Sequence, residues 1–261
     1  MNATPDQRGL KIGLVSMQID SKDPSSFADH ADLFLEIVNA HRELDIIVFP
    51  GWTLLDKDQL AFVEKRIKNN NSLVIFEVKK DVGKEKSRHK GSFFKDGSLH
   101  DRDIFQMFGE SKDIDGNKEL MTSYLDEIRS KRIIEYKGRK ICLLICGEIN
   151  VLRNVQKNNN KVEFRLSEDG DLSRAFHQIC EDIDIFVNPT HTIMGNQGKL
   201  ARRREFLSRH KVFCSVSNAD TSTDQTLDRK SIQYLYKNGQ AVNGRPLEEG
   251  DKRFVLKEYD V

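Results

Sequence analysis

The sequence lacks several features that would point to a specialised class of protein. Its 261 residues include only four cysteines, which are too few for a scaffold held by disulfides. Neither sign of charge dominates, because 42 Lys and Arg residues stand against 41 Asp and Glu residues, whereas a general nucleic-acid binder carries a basic surplus. Uncharged apolar runs such as residues 141–146 fall far below the roughly 18 residues that cross a bilayer. We therefore expect no nucleic-acid partner and no membrane span.

The beginning of the sequence also lacks the pattern of a secretory signal. Residues 1–6 have no basic stretch that leads into an apolar segment, so we expect no secretory signal. With few cysteines and no such signal, the sequence favours a reduced, cytoplasmic protein.

Apolar runs and helical periodicities alternate along much of the chain. Runs that are apolar throughout are typical of strands buried on both faces, and apolar residues three or four apart indicate helices. This alternation predicts an α/β fold with crossover helices, accompanied by hairpins that turn at glycines. Because no change of composition marks a linker, we expect one domain over residues 1–261. The predicted strands are 10–17, 45–49, 72–78, 140–146, 183–187 and 212–217, and the predicted helices include 57–68, 172–180 and 199–210.

Cys146 is the first candidate for chemistry. It ends an apolar run and is followed by Gly147, so it stands where a strand can deliver a nucleophile onto a sharp turn. A thiol needs a neighbour that lowers its pKa or takes its proton. A cysteine among apolar residues is also commonly a small core residue, and the local sequence leaves both interpretations open.

A series of segments in a particular order resembles the nitrilase (carbon–nitrogen hydrolase) superfamily. The segment 138–148, with its glycine turn, apolar strand and Ile-Cys-Gly-Glu, resembles that family's nucleophile segment. Segments 11–18, 45–50, 95–110, 187–191 and 203–218 resemble its opening strand, the strand before its catalytic glutamate, its lysine segment, the strand after the nucleophile, and its later helix and strand.

This resemblance implies an α-β-β-α sandwich and a Cys-Glu-Lys catalytic set. In that chemistry, cysteine attacks an amide or nitrile carbon, glutamate is the general base, lysine stabilises the tetrahedral intermediate, and water hydrolyses a thioester. It also implies a homodimer or larger assembly that pairs through helices, for which residues 172–180 and 202–210 are the candidates. The resemblance implies no cofactor.

The sequence departs from the family at two of its three catalytic positions. Gly51 stands where the resemblance places the glutamate, and it has no proton acceptor. Arg102 stands where one register places the lysine, while another register places Ile104 there. Arg102 would keep a positive charge for an oxyanion but would not relay a proton. The resemblance offers Glu110 and Glu148 as substitute bases for Cys146.

Two hypotheses of function follow. The first is a thiol-dependent hydrolase of a small amide or nitrile, with Cys146 as nucleophile, Glu110 or Glu148 as base, and Arg102 as stabiliser. The second is a catalytically degenerate nitrilase-fold protein that binds a ligand or partner.

Other residues have smaller predicted roles. Gly51, Trp52 and His191 are candidates for lining the substrate pocket, although His191 also suits a structural hydrogen bond. Cys142 and Cys146 lie four apart without a nearby His or Cys to complete a zinc pattern, so we expect no metal.

Overall fold

The computed structural model describes residues 9–79, 89–223, 228–248 and 253–261. Residues 1–6, on which the expectation of no secretory signal rests, lie outside these ranges. The α-helices of the described part are α1 (His30–Ala40), α2 (Lys57–Glu64), α3 (Ser111–Ile114), α4 (Lys118–Glu127), α5 (Gly170–Asp182) and α6 (Gln197–Leu207). The described strands are β1 (Lys11–Ile19), β2 (Ile46–Val48), β3 (Leu73–Val78), β4 (Lys90–Lys95), β5 (Ser98–Phe105), β6 (Ile133–Tyr136), β7 (Arg139–Leu143), β8 (Leu152–Val155), β9 (Lys161–Phe164), β10 (Ile185–Thr190), β11 (Val212–Ser217), β12 (Ala219–Asp220), β13 (Gln233–Lys237), β14 (Gln240–Val242), β15 (Arg245–Glu248) and β16 (Phe254–Asp260).

Two mixed sheets carry the architecture of the described chain. In the first, the strand order is β15-β16-β1-β2-β3-β4-β5, with β12 also pairing with β1. Its centre, β1-β2-β3, is parallel, and its outer pairings along that path are antiparallel. In the second, the order is β14-β13-β11-β10-β7-β6, with a parallel centre of β11-β10-β7. Strands β8 and β9 form a separate hairpin.

The sheets are stacked, with helices on both outer faces. Residues from alternate positions of both sheets form one buried cluster between them, including Ile12, Ile75, Leu143 and Val187. The other face of the first sheet packs against α1 and α2, and the other face of the second packs against α4, α5 and α6. The result is the predicted α-β-β-α sandwich, because strands with apolar residues on both faces must be covered on both sides.

The structure confirms most of the predicted elements of the layers. The apolar runs at 45–49, 72–78 and 212–217 become β2, β3 and β11, and the helix predicted over 199–210 becomes α6. The polar segment 157–161 contains most of the connection between β8 and β9 and the first residue of β9. Among the described residues, no helix is both long and apolar enough to cross a membrane.

Candidate active site

Three strand ends meet at one place between the two sheets. Gly51 follows β2 in the first sheet, whereas Cys146 and His191 follow β7 and β10 in the second. The Gly51 amide donates to the Thr190 carbonyl at 3.0 Å. Asn218 then holds both turns, because its Nδ2 donates to the Gly51 carbonyl at 2.5 Å and to the His191 carbonyl at 2.8 Å. The carboxyl ends of strands from two sheets are therefore tied together, which is where α/β proteins place ligand sites.

Cys146 lies on a sharp turn at the end of its strand. Its φ of 43° is in the left-handed region, which is uncommon for a residue with a side chain and occurs where the surroundings enforce it. The side-chain amide of Asn188 contributes here, since it donates to the carbonyls of Leu144 and Cys146 at 3.0 Å each. The side chain of Cys146 is half-buried, unlike that of Cys142, which is fully buried.

The imidazole of His191 interacts with the Cys146 side chain, and this interaction is one of the effects that raise the pKa of His191. His191 Nε2 in turn lies 2.7 Å from Oε1 of Glu77, a fully buried carboxylate on β3. Burial disfavours the charged imidazole, but the Glu77 carboxylate and Cys146 outweigh that effect and raise the pKa of His191 to about 10. The order Cys-His-Glu is that of a nucleophile, a base and a group that orients the base.

Gly51 is what makes room for His191. A Cβ built on Gly51 would overlap Cδ2 of the imidazole and lie 2.9 Å from the His191 amide nitrogen. Any side chain at position 51 would therefore displace the histidine ring. The position at which the sequence lacks the family's glutamate is thus occupied by an imidazole from the neighbouring sheet.

The aromatic rings of Trp52 and His89 pack against the imidazole of His191. Trp52 stacks on His191 with ring centroids 4.5 Å apart and planes at 9°, and His89 meets the same ring edge-on at 4.5 Å. Nδ1 of His89 lies 3.2 Å from Trp52 Nε1 and 2.9 Å from the Lys79 carbonyl. Burial lowers the pKa of His89, against the opposing charge of Glu77.

Arg102 and Ile104, the residues that the two registers place at the lysine position, lie in different surroundings. The Arg102 guanidinium is exposed, and it donates to the main-chain carbonyls of Ile133 at 2.8 Å and Lys131 at 3.3 Å. That arrangement gives it a structural role at a strand edge and no contact with Cys146, so we do not retain it as a stabiliser. Ile104, two residues later, is fully buried in the cluster against which Cys146 packs. An apolar side chain, not a cation, therefore faces the interior from this strand.

The two glutamates predicted as bases are both engaged by other partners. Glu110 is exposed and pairs with Lys112 at 2.8 Å, because it begins α3 as a cap. Glu148 is fully buried beside Cys146, but its oxygens accept from the amides of Ile145 at 2.7 Å and Met107 at 2.8 Å and form an ion pair with Arg132. Burial raises the pKa of Glu148, although Arg132 and the two amides oppose that shift. This carboxylate holds the turn together through three hydrogen bonds, from Met107, Ile145 and Arg132.

The structure thus brings together four of the predicted residues and adds two. Cys146, Gly51, Trp52 and His191 lie in one site, whereas Glu77 and His89 were not predicted. Glu77 carried one signal that was available in the sequence, since a charged residue within the apolar run 73–78 is rarely buried without a partner. His89 carried none, because it precedes its strand in a lysine-rich segment.

Comparisons with known proteins support the fold. No family model matches the sequence, and no curated protein matches it. Among solved structures, the chain is similar to an amidase from Nesterenkonia sp., with a TM-score of 0.58, 11% identity, and coverage of 99% of this chain and 93% of that one. It is also similar to XC1258 from Xanthomonas campestris, a CN-hydrolase superfamily protein with an arsenic adduct in its active site, with a TM-score of 0.57, 14% identity, and coverage of 97% and 91%.

These similarities extend over nearly the whole chain, and they agree with the layer order described above. The protein therefore has the α-β-β-α fold of the nitrilase, or carbon–nitrogen hydrolase, superfamily. At such low identity the likeness concerns the fold, and the function must be argued from the site.

Proposed function

We propose that this protein is a thiol-dependent hydrolase of small amides, or of nitriles, in which Cys146 is the nucleophile and His191 the general acid and base. The observation that carries the proposal is the buried His191–Glu77 pair, 2.7 Å apart, at the meeting of strand ends where Cys146 stands on a left-handed turn. A structure of the Nesterenkonia amidase shows the acetamide moiety of fluoroacetamide added covalently at its active-site cysteine. By analogy of fold, this supports a small amide as substrate.

The first step forms a thioester on Cys146. The sulfur attacks the carbonyl carbon of the amide, the carbon–nitrogen bond breaks, and the departing nitrogen takes the proton held on His191. The buried carboxylate of Glu77 keeps the imidazole in one orientation and stabilises its positive charge. In the second step, His191 takes a proton from water, the resulting hydroxide attacks the thioester, and the carbon–sulfur bond breaks to release the carboxylic acid, which restores the starting pair of Cys146 thiolate and protonated His191.

The site differs from the family's in where its positive charge stands. The protonated His191, beside Cys146, supplies the charge that the resemblance assigns to a lysine, and Ile104 fills the interior from the strand that would carry that lysine. Glu77 replaces the missing glutamate in charge but acts through the histidine.

We further propose that the protein is cytoplasmic and forms a homodimer or larger assembly.

The test measures the reactivity of Cys146 and the turnover of an amide panel together. With iodoacetamide, mass spectrometry should show Cys146 alkylated faster than Cys180, the other cysteine that is not fully buried. Small amides and nitriles should form a thioester on Cys146 that is trapped by hydroxylamine. His191→Asn should lower turnover on the order of 10²- to 10⁴-fold, the usual contribution of a general base.

The exposed histidine His177 provides the matched control. His177→Asn should leave both alkylation and turnover unchanged. If Cys146 reacts no faster than Cys180 and no amide or nitrile is turned over, the hydrolase proposal is wrong. The alternative, a nitrilase-fold protein that binds without catalysis, then becomes the better account, and Cys146→Ala should leave its ligand binding intact.

A further inference from the structure

Glu77, His89 and His191 form a compact cluster of metal-ligating side chains. Each offers one ligand atom, and these atoms all lie within 4.8 Å of one another. They come from three separated segments, namely the end of β3, the residue before β4 and the residue after β10. The hydrolysis proposed above uses the Glu77–His191 contact and gives His89 no role.

The second observation concerns the other oxygen of Glu77. Oε2 is buried and has no hydrogen-bond partner among the described residues, while Oε1 accepts from His191 and from the Trp52 amide at 3.2 Å. A buried carboxylate oxygen without a partner is costly. A cation bound beside it would satisfy that oxygen and balance the buried negative charge.

The position of His89 also suits the binding of a cation. Its Nδ1 lies 2.9 Å from the carbonyl oxygen of Lys79. Histidines that bind metals commonly donate one ring N–H to a carbonyl, which fixes the tautomer and leaves the other nitrogen free to ligate. When Nδ1 of His89 donates to that carbonyl instead of accepting from the Trp52 indole N–H at 3.2 Å, Nε2 is the ligating atom.

We propose that Glu77, His89 and His191 bind a divalent transition-metal ion, with zinc as the best match. Two histidines and a carboxylate are a ligand set that zinc takes in proteins, with a fourth position left open. Bonds of about 2.0–2.2 Å place tetrahedral ligand atoms about 3.4 Å apart. Hard cations such as Mg²⁺ prefer sites made of oxygen alone.

Bound metal and the present Glu77–His191 hydrogen bond exclude each other. The hydrogen bond requires a proton between Nε2 of His191 and Oε1 of Glu77, whereas metal ligation requires the lone pair of that same nitrogen. The metal-bound chain therefore has a His191 that cannot carry a proton at Nε2. Zinc occupancy would in this way compete with the arrangement that serves Cys146.

The experiment titrates the purified full chain, treated with chelator, with Zn²⁺ by calorimetry and with Co²⁺ by visible absorption. One ion should bind per chain, and Co²⁺ should give the visible bands of a tetrahedral or five-coordinate site. His89→Gln should weaken the affinity at least about tenfold, because a direct ligand contributes no less than the outer contacts that cost 10- to 100-fold. Cys146→Ala should retain binding, which separates the site from a lone thiolate.

His177→Gln is the control, since this histidine is exposed and is not one of the three proposed ligands. Thermal melts of the apo variants verify that each is folded, and Glu77→Gln provides a second ligand variant if His89→Gln proves unstable. An affinity unchanged in both ligand variants, or binding that disappears only in Cys146→Ala, overturns the metal site. Because metal binding is measured without substrate, its failure is distinguishable from a failure of the hydrolase proposal.

Discussion

Glu77 and Glu148 are two buried glutamates near Cys146, the first in contact with His191 and the second two residues further along the chain. Their carboxylates are used in opposite ways. Glu148 is fully satisfied by Arg132 and by two main-chain amides. Glu77 contacts a titratable imidazole with one oxygen and leaves the other without a partner. A carboxylate whose lone pairs are all engaged stabilises a structure, whereas one that remains partly unsatisfied beside a base is available for chemistry.

The largest expected effect is the loss of stability in Glu148→Gln. The charge of Arg132, which is completely buried, would lose one of its two carboxylate partners, and breaking a buried ion pair costs about 3–5 kcal/mol. Urea unfolding followed by circular dichroism measures this cost. Glu110→Gln is the matched control, because that side chain is exposed, and we expect a change within about 0.5 kcal/mol. A Glu148→Gln protein as stable as the wild type would contradict the structural role.

A double-mutant cycle sharpens the same point. Arg132→Met leaves the Glu148 carboxylate buried without its cation, while Arg132→Met combined with Glu148→Gln removes both charges. We expect the double variant to be more stable than the sum of the single effects predicts, by about 1–3 kcal/mol. The measurement is again the free energy of unfolding in urea. Strictly additive effects would mean that Glu148 is held by its two amides and gains nothing from Arg132.

Gly51→Ala tests whether His191 owes its place beside Glu77 to the missing side chain. The added methyl group would overlap the imidazole, and such overpacking typically costs about 1–3 kcal/mol. We also expect slower alkylation of Cys146, because a displaced ring no longer contacts the sulfur. Gly170→Ala is the control, since that glycine has open space around its position. Unchanged alkylation in Gly51→Ala would separate the thiol's reactivity from His191.

Glu77→Gln should have the smallest effect on stability and a clear effect on reactivity. The amide keeps a hydrogen-bond acceptor for His191, and the imidazole, unlike the Arg132 guanidinium, can lose its proton once the carboxylate is removed, so we expect a smaller loss of stability than in Glu148→Gln. Alkylation of Cys146 should slow because the imidazolium loses its stabilising carboxylate. The comparison with Glu148→Gln is the decisive one, since unfolding and alkylation should separate the two glutamates. Equal losses of stability in both variants would remove the distinction.

Local pattern predicted most of the strands and helices of this protein, and the family resemblance implied their α-β-β-α layers. The segments 45–49 and 183–187 are apolar apart from Asp45 and Asp184, and strands of that composition are typically buried on both faces. Cys146 was found for a local reason as well, because its strand and the glycine after it are contiguous. The family resemblance also offered Glu148, two residues from the thiol, as a base, whereas the structure engages its carboxylate with Arg132 and two main-chain amides, because proximity in sequence does not say where a carboxylate points.

The sequence by itself determined the sandwich, the turn that carries Cys146 and the absence of a glutamate at position 51. Only the tertiary structure decided what replaces that glutamate, since Glu77 and His191 are separated by more than a hundred residues and meet where strands of two sheets end together. Hydrophobic periodicity sets which faces are buried, but it contains no information on which polar side chains from different strands come within hydrogen-bond distance. That choice depends on sheet register and on the space that Gly51 leaves free.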